Sequence, residues 1–525
     1  MAMNPKLLRP KASGVFTPKS ISGLALWLDA ADSSTLFQNS DGTVPATASS
    51  DPVGYWGDKS GNGRHATQVT AVNRPTVGSS STAGKNAVRN SGTGSVALQV
   101  AAWPYAAGNT QFAVLNASNI NQGIYQRGSL NNEPRMAIQT APSGVPSVRA
   151  TRGGTYFTQT NSEVGCALSQ WAIGATLFNT SLGRAYRDGA YGPDTTDPQT
   201  FSGDQELRLL SLPGNIYGIN GGIAEFIYYD RQLTAIEVAS VARYLSIRWG
   251  IALAPTVSNA DAQDWVNRVY VNGGTVSTAT ANAANTFCNG IDAAGIRDRF
   301  YRLNLFCGGN LSSALVPLYR GPTPSGTQYG NATDTNANFV SGDYVETGAS
   351  GGITGNGTTK YLQTGFPGNT LAVGNRHLSA YESLRDTGSY KPMLGTQDDG
   401  GGTYFFTLTN GSPGTTVFAS FGGQAASAGH TVGGQWIATD PTSLSLVLYK
   451  NGTARTTSSN TTSALPSAQG ILVFAVNGTP GGLFVSGVRA GRLNSYSIGL
   501  GFSATQASDY YSAMQAFQTA LARNV

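Results

Sequence analysis

Gln170-Trp171-Ala172-Ile173, then Tyr186-Arg187-Asp188-Gly189, then Leu233-Thr234-Ala235-Ile236-Glu237 form a series that returns once, in the same order. The second copy is Gln435-Trp436-Ile437-Ala438, Tyr449-Lys450-Asn451-Gly452 and Phe502-Ser503-Ala504-Thr505-Gln506. Trp to Asx is 17 residues in the first copy and 15 in the second, and Asx to the following Thr or Ser is 46 and 52. Self-similarity on this scale marks one structural unit used twice. Each third segment is a capping box: the Thr234 or Ser503 hydroxyl accepts a backbone amide at a helix start, while Glu237 or Gln506 reaches back to the amide of the cap. Val238, Val241, Leu245 and Trp249 follow at helical spacing up to Gly250, and Tyr510, Met514, Phe517 and Leu521 follow the second box. Both helices are therefore expected to lay one apolar face on a sheet.

The rest of each copy reads as strands. Leu24, Leu26 and Leu28 alternate with Ala25 and Trp27, the pattern of a strand buried on both faces. Further short strands are expected at 111–116, 134–139, 147–150, 171–178, 206–211 and 223–229, between Gly, Pro and Asn clusters. With 525 residues, 67 of them Gly, and only 12% charged, the chain suits two large sandwiches rather than a helical or disordered protein. The fold expected is all-β: two jelly-roll sandwiches, each closed by a C-terminal helix, at 21–253 and 321–525. Between them, at 254–320, Trp265, Val266, Val269 and Tyr270, the run from Ser277 to Gly290, and Ile296 to Phe306 predict a small helical insertion. Arg297, Arg299 and Arg302 in the last run read as a solvated stripe or as an inter-subunit or inter-protein contact. Trp27, Trp171, Trp249 and Trp436 lie in patterned segments and are expected in cores.

Residues 1–20 differ. Lys6, Arg9, Lys11 and Lys19 precede the first acid, Asp29, among Pro5, Pro10 and Pro18, which predicts an extended basic arm. The net charge of +5 is too dispersed to predict nucleic-acid binding, and no apolar run is long enough for a membrane span or a signal peptide. Cys166, Cys288 and Cys307 lack metal-ligand spacing; a Cys288–Cys307 disulfide is open, free thiols being the simpler reading.

Chemistry is sparse. Carboxylates at alternate positions of one strand would suit a glycosidase, yet the nearest candidates are Asp204 with Glu206, and Glu225 alone. His65, His377 and His430 sit in loop-like contexts far apart, and Gly395 to Gly402 lacks the lysine of a phosphate loop. The chain is thus expected not to be an enzyme, with no catalytic residues and no required cofactor. Calcium is the one ion considered, through Asp29, Asp32, Asp58 and Asp188 near strand ends, although each also reads as a turn-former. Trp103, Tyr105, Tyr156, Tyr191 and Tyr404 lie in Gly/Pro-rich stretches and are candidate glycan contacts, since an aromatic face stacks on a sugar.

Gly23 to Asp29, Trp56-Gly57-Asp58-Lys59-Ser60-Gly61-Asn62-Gly63, and Ile223 to Asp230 with Leu233-Thr234 and Tyr244-Leu245 resemble laminin-G-like, concanavalin A-like jelly-roll domains of bacteriophage virion proteins. The likeness covers about 20–252. More loosely, Asp261 to Trp265, Asn356 to Gly365 and Ser495 to Gly499 resemble another phage structural module. The resemblance implies a structural component on the outside of the virion: a fibre, spike or capsid decoration. It further implies anchoring through Lys6, Leu7, Leu8, Arg9, Pro10 and Lys11, other capsid or tail proteins as partners, and a trimer by analogy with virion spikes; host glycans are the further contact that the candidate aromatics suggest. A host-surface carbohydrate-binding adhesin is the alternative, with a polysaccharide-degrading enzyme behind it.

Overall fold

The structure is a computed structural model of the chain. It describes residues 16–525 apart from 107, 129–134, 141–144, 152–161, 197–202, 325, 398–404, 413, 422–423, 432, 443–444, 459–467 and 479–484. The chain divides into two compact units, Met1–Leu253 and Ala254–Val525.

In unit 1 one sheet runs, edge to edge, through Ala190–Tyr191, Leu182–Arg187, Trp171–Phe178, Asn109–Ala117, Asn220–Tyr229, Asn86–Ser91 and Thr76–Ser79, with Leu24–Asp29 also paired to Asn220–Tyr229. Unit 2 repeats this order: Thr453–Ser458, Ser445–Lys450, Gly434–Thr442, Arg376–Leu384, Arg492–Gly499, Gly352–Thr354 and Tyr344–Val345, with Phe300–Asn304 paired to Arg492–Gly499. The opposing sheets match as well. Ser162–Gly165, Pro146–Thr151, Arg135–Thr140, Gln122–Arg127, Asp204–Leu209, Leu98–Pro104 and Ala66–Thr67 correspond to Gln424–Gly429, Thr416–Phe421, Phe405–Asn410, Pro392–Gln397, Gly470–Val473, Tyr361–Pro367 and Thr335–Ala337. Among the described residues pairing is antiparallel in unit 1, and in unit 2 the exception is a parallel bridge from Thr396 to Asn477. Both units are all-β, jelly-roll-like sandwiches.

Period-2 burial explains the packing. Leu26, Leu28, Leu115, Phe226 and Tyr228 of one sheet meet Val100, Tyr125, Met136 and Leu207 of the other in the core of unit 1. The alternate residues Trp27, Phe112, Val114 and Ile227 face the helix α1, Ala235–Trp249, whose Val238, Val241, Leu245 and Trp249 cover them. The helix-bearing sheet is thus apolar on both faces. In unit 2 the helices α2 (Ala260–Val271), α3 (Thr278–Ala293) and the short α4 (Leu311–Ala314) come first, and α5, Ala504–Ala520, closes the sandwich. Both capping boxes are made as their sequences dictate, Glu237 N donating to Thr234 Oγ1 and Gln506 N to Ser503 Oγ.

The repeated Asx-Gly pairs are two-residue hairpin turns. Asp188 and Gly189 have φ of 48° and 105°, and Asn451 and Gly452 of 50° and 72°, the left-handed pair such turns require. In each, the Asx side chain ties the turn to the strand that precedes the hairpin: Ile173 N donates to Asp188 Oδ1 at 2.7 Å and Gln435 N to Asn451 Oδ1 at 2.9 Å. The tryptophans of the repeat, by contrast, are not counterparts. Arg187 faces Gly174, whereas Lys450 faces Trp436, so Trp436 corresponds to Gly174 and not to Trp171. The offset of three residues reverses the face: Trp171 is half-buried beside α1, and Trp436 lies inside the sandwich.

Three expectations are corrected here. Ile296 to Phe306 is not helical: a 3₁₀ turn, Arg297–Arg299, leads into the strand Phe300–Asn304, held in the sheet by Arg492–Gly499. Its arginines are not a solvated stripe, since Arg297 grips both oxygens of Asp261 at 2.6 and 3.0 Å and Arg302 is wholly buried. Residues 16–20 do not belong to an arm, because Pro18–Ser20 form a 3₁₀ turn and Tyr229 Oη donates to Pro18 O at 3.0 Å. The three cysteines are free and buried.

Candidate functional site

A cavity of about 620 Å³ lies in unit 1, between α1 and the strand Leu24–Asp29. Phe16, Trp27, Tyr244 and Ile247 give it an apolar wall; Lys59, Lys85, Arg243 and Arg248 give it charge; Thr17, Asp29 and Ser240 complete it. Asp29 and Glu225 are cross-strand partners just behind this wall, with side chains wholly buried.

Alternation puts Glu225 on the helix side of its strand, and α1 brings Tyr244, Arg248 and Trp249 over it. Glu225 Oε1 accepts from Trp27 Nε1 at 2.7 Å and Tyr244 Oη at 3.0 Å; Oε2 accepts from Trp249 Nε1 at 2.6 Å and lies 3.3 Å from Arg248 Nε. Asp29 Oδ2 meets Arg248 Nη2 at 2.5 Å and Lys59 Nζ at 2.9 Å, and Oδ1 accepts Ala31 N at 3.1 Å. Burial above all, then the charge of Asp29, pushes Glu225 from an ordinary 4.5 up to about 7, against the indole donors and Arg248. The folded state holds the Glu225 proton more tightly than the unfolded chain does, so unit 1 is expected to lose stability as pH rises from about 4.5 to 7. Denaturant melts of wild type and Glu225→Gln across that range check it: the variant should show the shallower slope, and equal slopes would refute the assignment.

The pairing of Asp29 with Glu225 brings two carboxylates together, but every oxygen of both is engaged and neither is exposed, so the pair latches α1 to the sheet. The ligand-facing groups are those of the cavity wall. Arg243 is exposed and makes no hydrogen bond or ion pair among the described residues.

No family model matches the chain, and no curated protein matches it by sequence. Solved structures similar to it in part include a sialidase of Trypanosoma rangeli, at 12% identity and a TM-score of 0.29, over 42% of this chain and 33% of that one. A GH54 α-L-arabinofuranosidase matches at 12% identity and 0.32, over 39% and 54%, and an SAP-like pentraxin of Limulus polyphemus at 14% and 0.22, over 27% and 72%. The chain thus spans about a third of the sialidase and about half of the arabinofuranosidase. The expectation that the chain is not an enzyme is corrected at this point: the sialidase and the arabinofuranosidase are glycosidases, and that exclusion does not stand. At these TM-scores the likeness assigns no reaction to the chain either.

Of the aromatics singled out from sequence, Trp103 and Tyr105 meet on the Arg127 guanidinium, 3.9 and 5.1 Å from their ring centroids, while Tyr191 packs on Tyr186. Trp103 is no loop platform: it is 4% exposed, in the strand Leu98–Pro104, with the Arg127 guanidinium 3.9 Å from its ring centroid and Asp230 accepting from its Nε1 at 3.3 Å. Tyr105 is half-buried, its hydroxyl accepting from Asn109 Nδ2 at 2.8 Å. Tyr191 is half-buried against Tyr186, beneath Arg184. Tyr156, Tyr404 and the anchoring residues Lys6, Leu7, Leu8, Arg9, Pro10 and Lys11 lie outside the described residues.

The four aspartates weighed for calcium have other partners. Asp29 and Asp32 share Lys59, at 2.9 and 2.8 Å; Asp58 accepts Trp27 N, Ser60 N and Arg64 N; and Asp188 holds its hairpin, pushed up to about 6 by burial. Among the described residues no three His, Cys, Asp or Glu side chains are placed to share a metal ion. His377 and His430 are buried rather than in open loops; His377 bonds Ser497 Oγ at 2.8 Å and Leu500 O at 2.7 Å, and burial pushes it down to about 3.

Sequence reasoning missed Lys59, Tyr244 and Arg248 as members of one site. The available signal was Glu225, a lone acid within the apolar run Ile223 to Tyr229, which must find donors wherever it is buried.

Proposed function

We propose that the chain is a structural protein of a bacteriophage virion, a fibre, spike or capsid-decorating component displayed on the particle exterior and attached through its basic N-terminal segment. The observation that carries this reading is the convergence of the segments behind the resemblance, which are remote in sequence. Asp58 accepts the amide of Trp27 at 3.0 Å, Asn62 Nδ2 donates to Leu24 O at 3.0 Å, Lys59 pairs with Asp29, and Trp27 and Tyr244 both bond Glu225. The shared motif is therefore one knot that defines the sandwich. The proposed partners are other capsid or tail proteins and further copies of the chain, a trimer by the same analogy.

Residues 1–15 carry Lys6, Arg9 and Lys11 without an acidic residue, which suits attachment to an acidic surface. Cryo-electron microscopy of purified particles tests the reading. Particles made with the full chain should show regularly placed density that is lost when residues 1–15 are deleted. Particles that never carry the protein would overturn it.

A further inference from the structure

We propose that the cavity face of α1 is the docking face for an acidic amphipathic helix of the particle protein that carries this chain; the inference rests on the virion reading above. The duplicated fold supplies the first argument. Tyr244, Ile247 and Arg248 line the cavity ten, thirteen and fourteen residues after the cap Thr234. At the same distances after the cap Ser503, α5 has Ala513, Ala516 and Phe517. In unit 2 a helix covers this face. Ala516 and Phe517 border α3 at Ala283 and Thr286, the Phe287 ring lies 6.0 Å from that of Phe517, and a Cβ placed on Gly290 would stand 3.5 Å from Ala513 Cβ. The helix α3 comes just ahead of Phe300–Asn304, which is the counterpart of Leu24–Asp29.

In unit 1 the described residues ahead of Leu24–Asp29 supply only Phe16, Thr17 and one 3₁₀ turn. Among the described residues nothing covers the face from Ser240 to Arg248, about 12 Å of helix, and Ile247 is 74% exposed. An apolar helix face whose duplicate is covered by a helix is a face built to be covered.

Charge identifies the occupant. Lys59 and Arg248 are matched by Asp29, Asp32 and Glu225. Arg243 has no partner among the described residues, and Lys85 donates to the Arg248 carbonyl over the Trp249 ring, with no acid against it. Where α5 has the uncharged Ser512 nine residues after its cap, α1 has the unmatched Arg243, and Lys85, just ahead of the strand Asn86–Ser91, adds a second cation at the cavity, so the occupant carries acids on its flank. Residues 1–15 of the chain itself would meet like charge there through Lys6, Arg9 and Lys11.

The test places the photoreactive residue p-benzoylphenylalanine in place of Ile247, and separately in place of Ile236, which is 80% exposed at the start of α1 and outside the cavity. Each chain is assembled on particles and irradiated. Crosslinks from 247, and not from 236, to an acidic helical segment of another particle protein are expected, falling at least tenfold in Arg243→Glu with its thermal unfolding unchanged. Crosslinks to residues 1–15, to a second copy or to a saccharide would overturn the inference, as would none on particles that carry the chain; all of these leave the virion reading standing. Particles without the chain would refute that reading and the inference with it.

Discussion

Glu225→Ala is expected to destabilise unit 1 by about 4 kcal/mol at pH 7, with unit 2 unmoved. The side chain is wholly buried and collects two indole N–H groups, a tyrosine hydroxyl and the Arg248 guanidinium. Alanine removes the acceptor of Trp27 Nε1, Trp249 Nε1 and Tyr244 Oη, while Arg248 keeps Asp29, and each buried donor left unpaired costs about 1–3 kcal/mol. Relief of the mutual repulsion with Asp29 offsets part of this, so the sum stays below that of three independent losses. Because Trp249 and Tyr244 are on α1 and Trp27 is on the first strand, the loss should appear first as helix detachment. For a domain of this size the midpoint should fall by roughly 10 °C. Hydrogen exchange over residues 235–249, compared with residues 504–520, reads the two units separately; equal protection of α1 in the variant would refute the latch.

The second large effect is expected in unit 2. Asp334→Ala should destabilise it by about 3–5 kcal/mol, because it leaves a buried guanidinium without a counter-charge. Arg302 and Asp334 have no exposed side-chain surface; Asp334 Oδ1 accepts from Arg302 Nη2 at 2.7 Å and Tyr496 Oη at 2.6 Å, and Oδ2 from Asn304 Nδ2 at 2.8 Å. Replacing Arg302 and Asp334 together by leucine should recover much of the loss, since the desolvated charge then disappears with its partner. Urea unfolding of the single and double variants decides it. A double variant as unstable as the single one would show that the site matters for shape rather than charge.

What could be read in the sequence was local. The capping boxes, the Asx-Gly hairpins and the doubly buried strand at Leu24 are each encoded within a few residues, and backbone rules of the same range produce them. The run from Ile296 was misread because Phe300, Leu303 and Phe306 repeat at three-residue spacing, which imitates a helix. Its strand identity comes from Arg492–Gly499, nearly two hundred residues on, and from Asp334, whose charge allows Arg302 to be buried in a sheet. Trp103 was misread for a related reason: its Gly/Pro-rich surroundings suggested a loop, but Asp204–Leu209 pairs with it as a strand and Arg127 covers its ring. The candidate site was legible only as an isolated acid, because its donors come from positions 27, 244, 248 and 249 and meet only after the sandwich has closed.

That closure governs how the chain can be made. In each unit the first strand pairs with the last: Leu24–Asp29 with Asn220–Tyr229, and Phe300–Asn304 with Arg492–Gly499. Contacts of such long sequence separation make folding slow, and an emerging chain cannot form them until the far end has left the ribosome. Unit 1 can therefore complete itself while unit 2 is still being synthesised, but a nascent chain stopped anywhere before Tyr229 holds an apolar first strand with no partner. During translation, the interval in which that strand waits is when the protein is most exposed to aggregation.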